Sequence, residues 1–178
     1  MQAAEPFVTF EPQAGALPLS HALISYSEQE YEGVKMAIDN LKADMAAVFG
    51  TSPSGTAPTA TTLLIGTVGK NRNIDRLKLN GLKGKREQFI ITTVGQQVVI
   101  AGSDRRGTIY GIYELCRQLG VSPWYWWADV PVTHRDEAYF IPGTYTDGEP
   151  AVEFRGLFLN DEVPCLTSWG KNTWGTDY

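Results

Sequence analysis

Cysteine and histidine are scarce, with two of each in 178 residues. No CxxC and no HExxH occurs, so no metal site and no cofactor is expected. Cys116 and Cys165 could form one disulfide. Cys116, however, falls on the apolar face of a predicted helix, which favours a buried free thiol. Long hydrophobic runs are also missing, and nothing approaches the ~20 residues that span a bilayer. The start, "MQAAEPF", lacks a basic n-region and an apolar h-region. That leaves a cytoplasmic protein, or a secreted one in mature form behind an initiator Met. Excess positive charge is absent too: the net charge is -5 and the pI about 5.0. This argues against nucleic acid and against an anionic membrane surface as partners.

What remains is an ordinary globular mixture, 43% hydrophobic and 20% charged, long enough for one domain and part of a second. "PFVTFEP" alternates and ends at a proline, as a short edge strand does. In "YSEQEYEGVKMAIDNLKADMAAVFG", Ser27 and Glu30 have capping-box spacing. Tyr31, Val34, Ile38, Leu41, Met45 and Val48 then recur at steps of three and four, and Gly50 supplies the stop. "TSPSGTAPTAT" is a loop, "TTLLIG" a buried strand and "NIDRLKL" a short helix. "EQFIITTVGQQVVIAG" reads as a hairpin around Gly95.

"SDRRGTIYGIYELCRQLG" follows as a helix capped by Ser103 or Asp104. Ile109, Ile112, Tyr113, Cys116 and Leu119 share one of its faces. Gly107 and Gly111 cost helix stability, so close approach of this helix to a sheet is expected. Strand, helix, strand, helix, hairpin, helix is an α/β layer: a small mixed sheet with helices packed on it. The boundaries are 5–145 for that domain and 146–178 for a Pro/Gly-rich linker, "IPGTYTDGEP", and what it leads into.

Several stretches invite functional readings. "GTVGKN" fails as a phosphate loop, because the spacing is wrong and no Ser or Thr follows Lys70. "GSDRRG" before a helix could hold an anion, or could simply be a capped start with two solvated arginines. "WYWW", Trp124 to Trp127, could stack on sugar faces or cement a domain junction. In "EFRGLFLNDE" an apolar stretch, residues 153–159, runs into Asn160, Asp161 and Glu162. Strands buried on both faces read this way, and polar groups at the C-terminal end of such a strand are where (β/α)8 barrels place their chemistry. Solvated loop residues or a helix cap would look the same.

"RRGTIYGIYELCRQLGVSPWYWWADVPV" followed by "FRGLFLNDEVPCLTSWG" resembles glycoside hydrolase family 115, the xylan α-1,2-glucuronidases. The helix "GTIYGIYELCRQLG" is also similar to one in the N-terminal domains of families 67 and 20. The resemblance implies a non-catalytic α/β domain followed by the first strand of a truncated (β/α)8 barrel. It implies an enzyme that removes (4-O-methyl-)glucuronic acid from glucuronoxylan with inversion, in a secreted or periplasmic setting. On that resemblance Asp161 and Glu162 are the catalytic-rim carboxylates, and Asn160 and Trp126 contact substrate. The other catalytic carboxylates are expected on strands this sequence does not contain. The piece by itself should then be inactive, with dimerisation through the barrel-facing surface as a consequence. A carbohydrate-binding or scaffolding module using Trp124–Trp127 is the alternative.

Overall fold

The computed structural model describes residues 6–53, 61–156, 158 and 166–175, without the side chains of Trp126, Trp127, Thr173 and Trp174. Its centre is a five-stranded mixed sheet in the order β3 (Leu23–Ser25), β4 (Thr62–Thr67), β6 (Gln97–Gly102), β5 (Phe89–Val94), β8 (Thr144–Tyr145). β3, β4 and β6 run parallel, while β5 is antiparallel to both β6 and β8. β5 and β6 are the expected hairpin, turning at Gly95 with φ 60°.

Strict alternation divides the central strands between two cores. Leu63 and Ile65, Phe89 and Ile91, Val98 and Ile100 point to one face. There they meet Val34, Ile38, Leu41 and Met45 of α1 (Glu32–Phe49) and Ile112, Leu115 and Cys116 of α3 (Arg105–Gln118). Leu64, Ile90, Val99 and Ala101 point to the other, where Ile74 of α2 (Arg72–Leu77) and Leu82 cover them. Each fully buried aliphatic side chain contributes roughly 1.5–3 kcal/mol.

A second, three-stranded sheet, β1 (Val8–Thr9), β7 (Tyr139–Phe140) and β2 (Leu17–Pro18), joins the two ends of the domain. β7 lies between the other two and pairs antiparallel with both. Phe7, Phe140 and Tyr145 pack ring to ring, with centroids 5.0–5.8 Å apart. Glu137 fastens the turn after β2: its Oε1 accepts from the Leu19, Ser20 and Ala138 N–H groups, and its Oε2 from the Ser20 hydroxyl.

Two expectations need correction. The Ser27–Glu30 capping box does not form, because α1 starts at Glu32 with Tyr31 as an N-cap that makes no side-chain bond. Glu30 is instead buried, and its Oε1 accepts the Thr67 N–H at 2.8 Å. The end of β4 thus takes the carboxylate that the helix would have used. In α3 the buried face is Gly107, Thr108, Gly111, Ile112, Leu115 and Cys116, while Tyr113 is exposed. The glycines set this rotation. A Cβ on Gly107 would lie 2.3 Å from the Gln88 carbonyl oxygen, and one on Gly111 2.9 Å from Ile100 Cγ2. The expected close approach to the sheet is therefore present, and the bare glycine face makes it.

Candidate functional site

The residues singled out in the C-terminal stretch fall at the margin of the structure. Asn160, Asp161 and Glu162 lie outside the described residues, as does Cys165. Trp126 belongs to the short helix α4 (Tyr125–Ala128), but its side chain is not described. Trp124 and Tyr125 beside it are 60% and 41% exposed. Residues 153–156 pair with no strand among the described residues, and the Phe154 and Phe158 rings are 88% and 93% exposed. A helix that sequence reasoning missed, α5 (Leu166–Trp174), follows.

The "GSDRRG" stretch is a capped helix start. Asp104 Oδ1 accepts the Gly107 N–H at 2.8 Å, and Oδ2 accepts the Glu87 N–H at 2.7 Å. The Asp104 carboxylate thus takes the Gly107 N–H of the helix start for itself. Arg106 is half-exposed and turns to Glu87.

Glu87 is the centre of the best-organised polar cluster. It is only 6% exposed, and its backbone sits in the left-handed region at φ 54°. A residue with a Cβ pays roughly 1–2 kcal/mol for that conformation. Two guanidinium groups converge on the carboxylate: Arg106 reaches Oε1 at 2.8 Å, and Arg155 reaches Oε2. Arg155 also donates to the Tyr110 hydroxyl at 3.2 Å and to the Val152 carbonyl. Both guanidinium carbons lie 5.9 Å from the Tyr110 ring centre, within the range of a cation–π contact. The bond to Glu87 pushes the Arg155 pKa up, and Tyr110 adds to the effect.

Flanking pairs extend the contact. Lys85 meets Glu149 at 2.8 Å, and Arg86 meets Glu153 at 3.3 Å. The Arg86 N–H donates to Glu149, and its guanidinium to the Pro150 carbonyl. Residues 149–155 are thus held on residues 85–87 by charge and hydrogen bonds. Val152, Phe154 and Phe158 face outward. Sequence reasoning missed this cluster. Its only local signal is opposed charge order, Lys-Arg-Glu at 85–87 against Glu149, Glu153 and Arg155.

Three further groups, removed from this cluster, are displaced by burial. Burial raises the pKa of Asp44, and the Cys116 thiol that donates to it pulls it partly back. Cys116 is a buried free thiol, pushed well above its ordinary value by burial and by Asp44. Asp147 is raised by burial and then by Glu114, against the pull of Arg117. It lines a pocket of about 130 Å³ with Phe7, Phe89, Glu114, Thr144, Tyr145 and Thr146. Among the described residues no group of three or more His, Cys, Asp or Glu could hold a metal ion. No described helix is long and apolar enough to cross a membrane.

A known enzyme shares this architecture. A family 115 4-O-methyl-α-glucuronidase with specificity for decorated arabinogalactans is similar over 94% of this chain, at 32% identity and a TM-score of 0.72. The chain spans about a fifth of that enzyme, 22% of its length. Flavobacterium johnsoniae chitobiase is 14% identical over 87% of this chain and 21% of its own, with a TM-score of 0.49. Streptomyces plicatus N-acetyl-β-hexosaminidase is 14% identical over 79% of this chain and 24% of its own, with a TM-score of 0.46. No curated protein matches. Residues 18–115, from β2 through most of α3, match the family model described as glycosyl hydrolase family 67 N-terminus. The chain belongs to that family, and its mixed α/β fold is the N-terminal domain type of glycoside hydrolase families 67 and 115.

Proposed function

We propose that this domain serves a glycoside hydrolase that removes glucuronic acid, or its 4-O-methyl ether, from a plant polysaccharide by inverting hydrolysis in a secreted or periplasmic setting. The observation that carries the reading is the 32% identity, over 94% of the chain, to a 4-O-methyl-α-glucuronidase. In this reading residues 5–145 are a non-catalytic support, and residues 146–178 lead into a (β/α)8 barrel. Asp161 and Glu162 stand at the barrel rim as the acidic pair, and Asn160 and Trp126 contact substrate.

An inverting glycosidase sets its acid and base roughly 6.5–9.5 Å apart across the scissile bond. On the barrel strand that this reading assigns, adjacent residues would point to opposite sides, so Asp161 and Glu162 would not fill both roles. At least one partner comes from elsewhere in the enzyme, and the 178-residue chain alone should be inactive. The test is uronic acid release from glucuronoxylan and from decorated arabinogalactan, by the intact enzyme and by this chain. Turnover by the purified chain refutes the division of labour. Silence of the intact enzyme on both polymers refutes the uronidase reading.

The exposed Trp124 and Tyr125 rings favour a second reading, a carbohydrate-binding or scaffolding module. Saturable quenching of tryptophan fluorescence by xylo-oligosaccharides, lost in Trp126→Ala, would support it. The same exposed region with Phe154 and Phe158 makes self-association of the isolated chain the expected behaviour, read by sedimentation.

A further inference from the structure

Residues 70–86 carry seven of the fifteen basic side chains against one acid, Asp75. The rest of the chain is therefore more acidic than the net charge of -5 suggests. The fold lays this segment across one face of the five-stranded sheet. Ile74, Leu77, Leu79 and Leu82 turn inward onto the second core, and Arg72, Arg76, Lys78 and Lys83 lie exposed between them. Among the described residues none of these four cations forms an ion pair. On α1, by contrast, both lysines are paired, Lys35 with Glu32 and Lys42 with Asp39. Asp75, the acid between the two arginines, turns its Oδ1 to the Gly69 N–H at 2.8 Å.

The charges are placed at a local cost. Arg72 and Arg76 stand four apart on α2, so like charges share one helix face and repel. Lys78 ends the helix with a left-handed backbone, φ 49°, which glycine adopts freely and a residue with a Cβ does not. The helix dipole favours a cation near the last turn. That accounts in part for Arg76 and Lys78, but not for Arg72 in the first turn or for Lys83 beyond the helix. Strain and repulsion of this kind point to a use outside the fold.

We propose that Arg72, Arg76, Lys78 and Lys83 form a binding face for the acidic polysaccharide itself, the cations pairing with uronic carboxylates along the polymer. The choice of ligand rests on the uronidase reading. A guanidinium fork matches a carboxylate. Asn73 and Asn80, exposed on the same segment, carry amides that both donate to and accept from hydroxyls. Nucleic acid fits worse. Residues 70–86 contain no Phe, Trp or Tyr on which bases could stack, and the acidic remainder of the chain repels a dense phosphate backbone. Exposed pairs are individually weak, so the face works by number and keeps the polymer close without fixing one sugar.

Affinity electrophoresis of the 178-residue chain at low salt tests this, with glucuronoxylan, the same polymer after reduction of its carboxyls to alcohols, and single-stranded DNA of matched charge. One exposed pair amounts to roughly 1.5- to 5-fold, so the acidic polymer should bind about tenfold or more tighter than its reduced form, and salt should erase the difference. Replacing all four residues by glutamine should erase it too, while Lys35→Gln with Lys42→Gln should not. Lys78→Gly guards against a variant that fails to fold: it relieves the left-handed backbone, so Tm should hold or rise while glucuronoxylan binding weakens by about two- to fivefold. Equal affinity for the reduced polymer, equal affinity for DNA, or an undiminished difference in the fourfold variant and in Lys78→Gly overturns the proposal. So does self-association at low salt that the fourfold variant abolishes, because the occupant is then a second copy. Uronic acid release by the intact enzyme is scored separately. Release without discrimination by the chain refutes the binding face alone; discrimination without release refutes the uronidase reading and leaves the binding face standing.

Discussion

Replacing Gly107 by alanine tests the packing that organises the domain. Propensity alone favours the change, since alanine is better than glycine in a helix by about 1 kcal/mol. Position opposes it. The new Cβ would lie 2.3 Å from the Gln88 carbonyl oxygen, 2.9 Å from its carbon and 3.1 Å from its nitrogen. These are backbone atoms, so no rotamer change relieves the contact. A carbon beside a carbonyl oxygen ordinarily keeps roughly 3.3 Å or more, so the start of α3 must retreat by about 1 Å.

That retreat pulls on three things at once. The Gly107 N–H leaves Asp104, the Ser103 N–H leaves the Gln88 carbonyl, and Gly111 loses its seat on Ile100 and Phe89. Overpacking costs typically about 1–3 kcal/mol, and a weakened cap about 1 kcal/mol more. After the propensity gain, a net loss of about 1–3 kcal/mol is expected. For a chain of this size that is roughly 3–10 °C in Tm, with an unchanged denaturant m-value. Gly33→Ala is the matched control, because its Cβ would meet only Ile109 Cδ1 at 3.6 Å. It should be neutral or stabilising by up to about 1 kcal/mol. Thermal and urea melts followed by circular dichroism read both. A Gly107→Ala protein as stable as Gly33→Ala would refute the argument that the glycine face of α3 sets its contact with the sheet.

Thr108→Val, nearly isosteric, removes a fully buried hydroxyl that donates to the Asp104 carbonyl and lies 2.7 Å from the Thr67 hydroxyl. Chemical denaturation should show a loss of about 1–3 kcal/mol. Asp44 has a folded-state pKa raised by burial. Its contribution is therefore complete below the unfolded value and is lost as pH rises through the folded one. Asp44→Asn should raise Tm at pH 7 and flatten the decline between pH 4 and pH 7, and an unaltered pH slope would count against that assignment. With Cys165→Ser as background, the buried Cys116 thiol, pushed up by burial and by Asp44, should react with an aromatic disulfide only at the rate at which the chain opens.

Much of the fold could be read locally. Short continuous runs of apolar and β-branched residues mark β4, β5 and β6 because each is buried on both faces of the sheet. The 3.6-residue stripe marks α1 because a single face of it meets the core. The strands that escaped are β2, β3, β7 and β8, two or three residues each. A segment that short shows no period, and β7 exists only because residues 8 and 17 pair with residue 140. Of the face expected for α3, Ile112, Cys116 and Leu119 are buried, Ile109 packs against the core and only Tyr113 is exposed. Large apolar residues suggest where a helix packs, but the nearest approach here is made by residues that lack side chains. Family words pointed to the terminal carboxylates, and these lie outside the described residues. The cluster at Glu87 joins residues 68 positions apart, and charge order alone does not reveal such a pairing.

The two halves of the chain's chemistry are built differently, and this bears on what the domain does. Its sheet is covered on both faces by its own helices and loops, so the core closes without residues 149–155. Those residues are held by ion pairs that are mostly part-exposed. Exposed pairs are each worth little and are screened by salt. An attachment of that kind hardly stabilises a fold, but it sets direction, because a guanidinium fork accepts few geometries. Salt therefore separates the two roles. High ionic strength should leave the Tm of the domain nearly constant while exchange in 151–156 accelerates. If the two moved together, the segment would be part of the cooperative core and would not act as a guide fastened to its surface.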